Sequence, residues 1–450
     1  MSYNSNSGKP FEYASKIAHS HIINDEQVQE YLNNCEIPIE AKDVDLDQSN
    51  VYEINYPSEN SIENIIAVDG GYTTIPVKKS FPSSLITFFQ FGALLIKREH
   101  LDEIDSKPFI SPSDMKTLKN IERSKLVIPT KNVSLQKGVD LKFSVRKTIY
   151  KFFERKDIDN KSMLETLYWF LFQLYDGRSN IDIYKLSHCP HCGERNIELA
   201  KDKIDTKTYM WNCPKSKCQK EIFITDVFRL FEDVDNETGA GGILGYVANL
   251  VESFIIIHII KTLLEIEENL ISKFLLVKDG PLSFIGQTAN MHKPMRALLN
   301  FILKTRKVNL VGVEKSGAFV DHAKEIKDKL SNGQILLLSN KHIYNYILQG
   351  NPESDEYAKT SYYSGKVIYK THEGNVYVLT IPVESSEYYN RPELTDLKNI
   401  EEILMNIDML KCDIYEDALI PVALANKLIS LSNRPSSNIL EKFAHKSIKA

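Results

Sequence analysis

The chain has 450 residues, 42% hydrophobic and 26% charged, an ordinary globular composition with room for two or three domains. A net charge of −5 excludes a global basic field, so any nucleic-acid contact has to come from a local patch. The N-terminus is polar, with Asn4, Ser5, Asn6 and Ser7 in place of a secretory apolar core, and a soluble cytoplasmic chain without a membrane partner is expected.

Residues 1–60 read as a polar, partly helical segment, with a helix over 25–32 capped by Asn24. Ile65-Ile66-Ala67-Val68-Asp69-Gly70-Gly71 reads as a buried strand that ends on a carboxylate and turns sharply at glycine. A second strand over 85–97, rich in phenylalanine and interrupted at Gly92, pairs back on it. Helices are predicted over 114–124, 144–155 and 163–174. The stretch 131–156 carries eight basic residues against Asp140 and Glu154, with Phe143, Tyr150, Phe152 and Phe153 interleaved. Such a pattern suits a single-stranded nucleic acid, with Lys142, Arg146, Lys147 and Lys151 on phosphates and rings under bases. A solvated helix face with its aromatics in the core has the same pattern.

Four of the six cysteines form two pairs, Cys189-Pro-His-Cys192 and Cys213-Pro-Lys-Ser-Lys-Cys218, twenty residues apart. This spacing predicts a zinc ribbon over 184–226: each pair lies on a tight turn, and four thiolates complete a tetrahedron around Zn2+. A closed four-thiolate site has no open coordination position, so its role is structural. Cys35 and Cys412 stand alone and read as buried thiols.

After the ribbon a long apolar helix covers 243–271; its most apolar part, 254–264, is too short to span a bilayer and is interrupted by Lys261. A second apolar strand, Phe274-Leu275-Leu276-Val277-Lys278-Asp279, ends on Asp279 before Gly280. Helices over 295–304, 320–330 and 341–348 alternate with strands 308–313 and 334–338. A hairpin of 365–369 with 376–382 follows, and helices over 393–410 and 421–431 close the chain. A hairpin first and alternation afterwards favours a mixed sheet covered by helices.

Two such strands side by side would bring Asp69 and Asp279 to one edge of a sheet, where a hard divalent cation could be held for phosphodiester chemistry. A third acid is needed. Glu252, amid apolar residues of the long helix, is expensive to bury without a cation and is preferred to Glu265, which lies in a charged cluster. Lys315 closes the strand ending Gly312-Val313-Glu314 and could hold a scissile phosphate or attacking water; an exposed strand-end lysine fits the same position. His258 reads as a core histidine.

With those residues in place, the chain resembles the NurA nuclease family in motif order. The matching segments are Val68-Asp69-Gly70, a helical Glu, Val277-Lys278-Asp279-Gly280-Pro281-Leu282, Gly312-Val313-Glu314-Lys315-Ser316, and Pro421-Val422-Ala423-Leu424-Ala425-Asn426-Lys427-Leu428. The resemblance implies a ribonuclease H-like, Argonaute PIWI-like α/β fold. The nuclease domain would be split into 61–183 and 227–450 around the ribbon. It also implies manganese- or magnesium-dependent DNA cleavage and a homodimer docked on a HerA-type hexameric ATPase, in DNA end processing or antiviral defence. Carried over, Asp69, Glu252 and Asp279 would be metal ligands, Lys315 a phosphate contact, and Asn426 would stand where the family commonly has His. Asn can coordinate through its carbonyl but cannot act as a general base. A catalytically weakened DNA-binding or scaffold subunit is therefore the alternative, and an interaction module with a protein-recognising ribbon is a third reading.

Overall fold

The computed structural model describes residues 16–35, 39–78, 80–99, 121–156, 161–178, 181–354, 356–411, 419–429, 431, 439–440 and 442–444. The chain divides into two compact units, 1–44 and 45–450. The first holds α1 (Lys16–Ile23) and α2 (Glu26–Asn33). Asp25, not Asn24, caps α2, accepting from the Gln27 and Val28 amides. Cys35 is exposed, not buried as expected, and Cys412 lies outside the described residues. The division falls earlier than the expected boundary at residue 60.

The second unit opens with β1 (Val51–Glu53), β2 (Asn64–Lys78), β3 (Phe81–Lys97) and β4 (Ile121–Lys131), followed by α3 (Leu141–Glu154) and α4 (Met163–Leu171). Two small hairpins come next, β5 (Ile183–His188) with β6 (Arg195–Ala200) and β7 (Met210–Asn212) with β8 (Glu221–Phe223). Then follow α5 (Leu244–Ile266), β9 (Phe274–Asp279), α6 (His292–Thr305), β10 (Asn309–Glu314), α7 (Ala318–Ile326) and β11 (Gln334–Leu337). The chain continues through α8 (Asn340–Tyr346), β12 (Ser364–Lys370), β13 (Val376–Pro382), α9 (Ile400–Met409) and α10 (Ile420–Ile429).

Nine strands form one sheet in the order β1-β11-β12-β13-β10-β9-β2-β3-β4. β2, β9 and β10 run parallel, and the remaining neighbours are antiparallel. An antiparallel β4-β3-β2 meander continued by parallel β9 and β10 is the ribonuclease H-like arrangement, and the mixed α/β sheet expected from the sequence is present. Helices cover it: α5 packs on β2 and β3, α3 on β4, α10 on β2 and β3, and α9 on β10.

Three local expectations change. β2 runs straight through Gly70 and Gly71, and β3 through Gly92, so none of the three glycines ends a strand. The β-branched run Thr73-Thr74-Ile75 keeps β2 extended. Residues 121–124 belong to β4, not to a helix; 114–120 lie outside the described residues. Leu126 and Ile128 face the core while Arg123, Lys125 and Val127 are exposed, a period-two pattern that charged residues obscured in the sequence. The helix that includes α5, Gly241–Ile266, is long and apolar enough to cross a bilayer, not too short as expected. Here it is packed inside the fold, with Val247, Leu250, Phe254, Ile257 and Ile260 buried in the main core. An all-round apolar helix is what a buried position requires.

Candidate active site

The parallel pairing of β2 with β9 ends at Val68↔Lys278, one residue before Asp69 and Asp279. Asp69 therefore sits where β2 loses its parallel neighbour, while β2 itself continues beside β3. Asp279 does end β9, and Gly280 turns the chain with φ +86. Two aspartates are thus juxtaposed at the C-terminal end of the parallel strands, the usual place for a site in such sheets.

Glu252 comes from α5 on one face of the sheet. Gly70 lets it in: a Cβ at Gly70 would lie 2.9 Å from the Glu252 Oε1 and 2.6 Å from the Phe91 ring. Glu252 is buried and forms an ion pair with Lys278, whose Nζ lies 2.9 Å from Glu252 Oε2 and also donates to the Asp279 carbonyl at 3.1 Å. Lys315 Nζ donates to Asp279 Oδ2 at 2.8 Å, with both side chains partly exposed. Asp69 is only 4% exposed and accepts from the Gly70 amide at 2.7 Å.

The cluster thus sets three carboxylates against two ammonium groups. Burial, then the charges of Asp279 and Glu252, push the Asp69 carboxyl up to about 8, with Lys315 opposing them. Burial also raises Glu252, and Lys278 offsets part of that. The site therefore holds a proton that it would release to gain a cation. Hard oxygen donors short of positive charge fit a hard divalent ion such as Mg2+ or Mn2+, for which Asp69, Glu252 and Asp279 are the ligands at hand.

The other expected residues separate clearly. Glu265 forms ion pairs with Lys161 and Lys261, so Glu252 is the buried acid beside the aspartates. His258 meets Thr166 Oγ1 at 2.7 Å inside the fold. Asn426 is exposed on α10, and no described hydrogen bond joins it to the carboxylates. Lys278 was missed by the sequence reading; a single lysine inside the apolar run of β9 is the signal that could have found it.

Cys189 and Cys192 lie in the β5–β6 turn, Cys213 and Cys218 in the β7–β8 turn. All four sulfur atoms lie within 4.8 Å of one another, which among the described residues makes this the one group of three or more His, Cys, Asp or Glu ligands so closely gathered. Cys192 and Cys213 Sγ are 3.8 Å apart, matching the about 3.8 Å spacing of thiolates at about 2.3 Å from a tetrahedral zinc. The donor set and spacing are compatible with zinc.

The basic helix α3 contradicts part of the expectation. Arg146 is buried, forming two hydrogen bonds to Asp226 at 2.8 and 2.7 Å, and it reaches the His191 ring at 3.2 Å. It locks the cysteine hairpins to α3 and cannot meet a phosphate. Lys147 packs over the Phe223 and Tyr150 rings, Lys151 pairs with Glu154, and the charge of Lys142 faces Asp235.

Fold and site together define a ribonuclease H-like α/β protein with a buried carboxylate–lysine cluster at the end of its parallel strands. No protein-family model matches the chain, and no curated protein does. Among solved structures it is similar to the NurA nuclease from Sulfolobus solfataricus, with 10% identity and a TM-score of 0.34 over 97% of this chain and 99% of that one. It is also similar to a structure of NurA, with 12% identity and a TM-score of 0.31 over 96% of each chain. A structure of NurA bound to dAMP and manganese gives 12% identity and a TM-score of 0.27 over 97% of this chain and 96% of that one. At such TM-scores the likeness carries no residue-level correspondence.

Proposed function

We propose that the chain is a divalent-metal-dependent nuclease that hydrolyses phosphodiester bonds in DNA. The supporting observation is the Asp69–Glu252–Asp279 cluster, whose three acids, two of them buried, outnumber the two lysines beside them. A bound Mn2+ or Mg2+ would polarise the phosphate and lower the pKa of the attacking water. The chain's own residues have distinct tasks around it. Asp69 would give up its proton on binding such a cation. Lys278 offsets part of the rise that burial imposes on Glu252 and, by its bond to the Asp279 carbonyl, holds the end of β9. Lys315, more exposed than Lys278, is the ammonium free to exchange Asp279 for a substrate phosphate.

The finer assignment follows the motif resemblance: a cytoplasmic homodimer working with a HerA-type hexameric ATPase in end processing or antiviral defence. The cysteine hairpins hold structural zinc. Labelled single- and double-stranded DNA incubated with Mn2+, with and without that ATPase, tests the reading. Asp279→Asn is expected to lower cleavage by on the order of 100-fold or more while the protein stays folded. Undiminished cleavage by Asp279→Asn and Asp69→Asn would remove the assignment. A folded wild type that binds DNA but never turns it over, even with the partner, would establish the scaffold reading favoured by Asn426.

A further inference from the structure

We propose that the open edge of β4 carries a second phosphate-binding site, which holds the backbone of the nucleic-acid strand beside the catalytic carboxylates; it rests on the nuclease reading above. A cavity of about 280 Å³ lies there, with Arg123, Lys125, Arg155 and Lys156 around it and Phe152 and Met163 among its lining. All four cations are exposed, and no carboxylate is among the described residues that line it. Arg155 is held in place: its Nη1 donates to the Lys125 carbonyl at 2.6 Å, and its guanidinium lies 5.4 Å over the Phe152 ring. Four like charges around one small groove repel each other, and an anion between them relieves that repulsion.

The strand register connects this groove to the site. Asp69 is directly opposite Gly92 on β3, and Gly92 is directly opposite Arg123 on β4. The next row on the same face runs Gly71, Gln90, Lys125. Directly opposed residues share a sheet face, so Arg123 stands two strand spacings, about 10 Å, from Asp69. A strand with one phosphate at Asp69 and Asp279 therefore reaches the cations with its neighbouring phosphates. This arrangement contrasts with α3, where Arg146 and Lys151 already have carboxylate partners.

Fluorescence anisotropy of a labelled oligothymidylate with the full chain in EDTA, where nothing is cleaved, tests the proposal. Arg123→Ala, Lys125→Ala and Lys156→Ala are each expected to weaken binding several-fold. Each should also lower the slope of log affinity against log salt by about one. Lys125→Arg should restore binding, and Lys147→Ala should leave it unchanged. Unaltered affinity and slope in the three alanine variants would overturn the groove, as would a wild type that binds no oligonucleotide. Loss of binding in these variants, with a wild type that shows no Mn2+-dependent cleavage, would leave the groove standing and remove the nuclease reading.

Discussion

Asp69 carries opposite demands from stability and from chemistry. Its folded pKa of about 8 lies above the ordinary carboxyl value near 3.8. The folded state therefore binds its proton more tightly than the unfolded state does. That contribution is fully present below about pH 4 and is lost as pH rises through about 8. Asp69→Asn has no proton to lose, so without divalent metal it should gain stability over the wild type as pH rises from 4 to 8. The gain should level off above 8, at about 1–5 kcal/mol in urea unfolding. With the ligand set proposed above, added Mn2+ should stabilise the wild type more than the variant. A variant less stable than the wild type at pH 8.5 would show that Asp69 is not strained by its neighbours. The acids were legible because carboxylates at the ends of apolar runs are conspicuous. Lys278 was not, because its partner Glu252 is on another element, and pairing across elements leaves no mark in sequence spacing.

At the scale of elements, the cysteine hairpins were readable and the helix beneath them was misread. Cys spacing encodes a local geometry, and each pair closes its own turn. Arg146 looked like a phosphate contact because basic residues and aromatics alternate around it. Its partner Asp226 lies eighty residues further along, at the far end of the ribbon segment. Trp211, buried with its indole N–H donating to the Ala200 carbonyl at 2.8 Å, reports on the hairpins directly. If the four thiolates hold zinc as proposed, stripping it with a chelator, or making Cys213→Ser, should red-shift tryptophan emission. Arg146→Met should cost about 3–5 kcal/mol, because it leaves Asp226 buried without its cation. Lys147→Met, losing only a ring contact, should cost about 1 kcal/mol or less. Equal costs for the two would refute Arg146 as the anchor.

Across the whole molecule, the nine-stranded sheet joins segments more than 250 residues apart, as in the pairing of β1 with β11. Apolar runs located seven of the nine strands of the sheet but said nothing of their order; β1 lay within the segment expected to be helical up to residue 60, and β4 was hidden by its charged residues. The two units divide after Val44, and the described part of α2 contributes no buried residue. Removal of residues 1–35, which leaves the buried Val44 in place, should therefore leave the thermal midpoint of the sheet unit within a few degrees of the full chain. A collapse of that transition would show that the first unit supports the second.

The sequence by itself determined the cysteine cluster, the apolar strands, the buried helix and the three acids, because each is written in local spacing or in the cost of burying charge. Only the tertiary structure decided that β2 runs on past Asp69, that Lys278 and Lys315 neutralise the acids, that Arg146 is buried, and that Arg123 lies in one row with Asp69. Those depend on register and on partners distant in the chain, which periodicity within a segment cannot express.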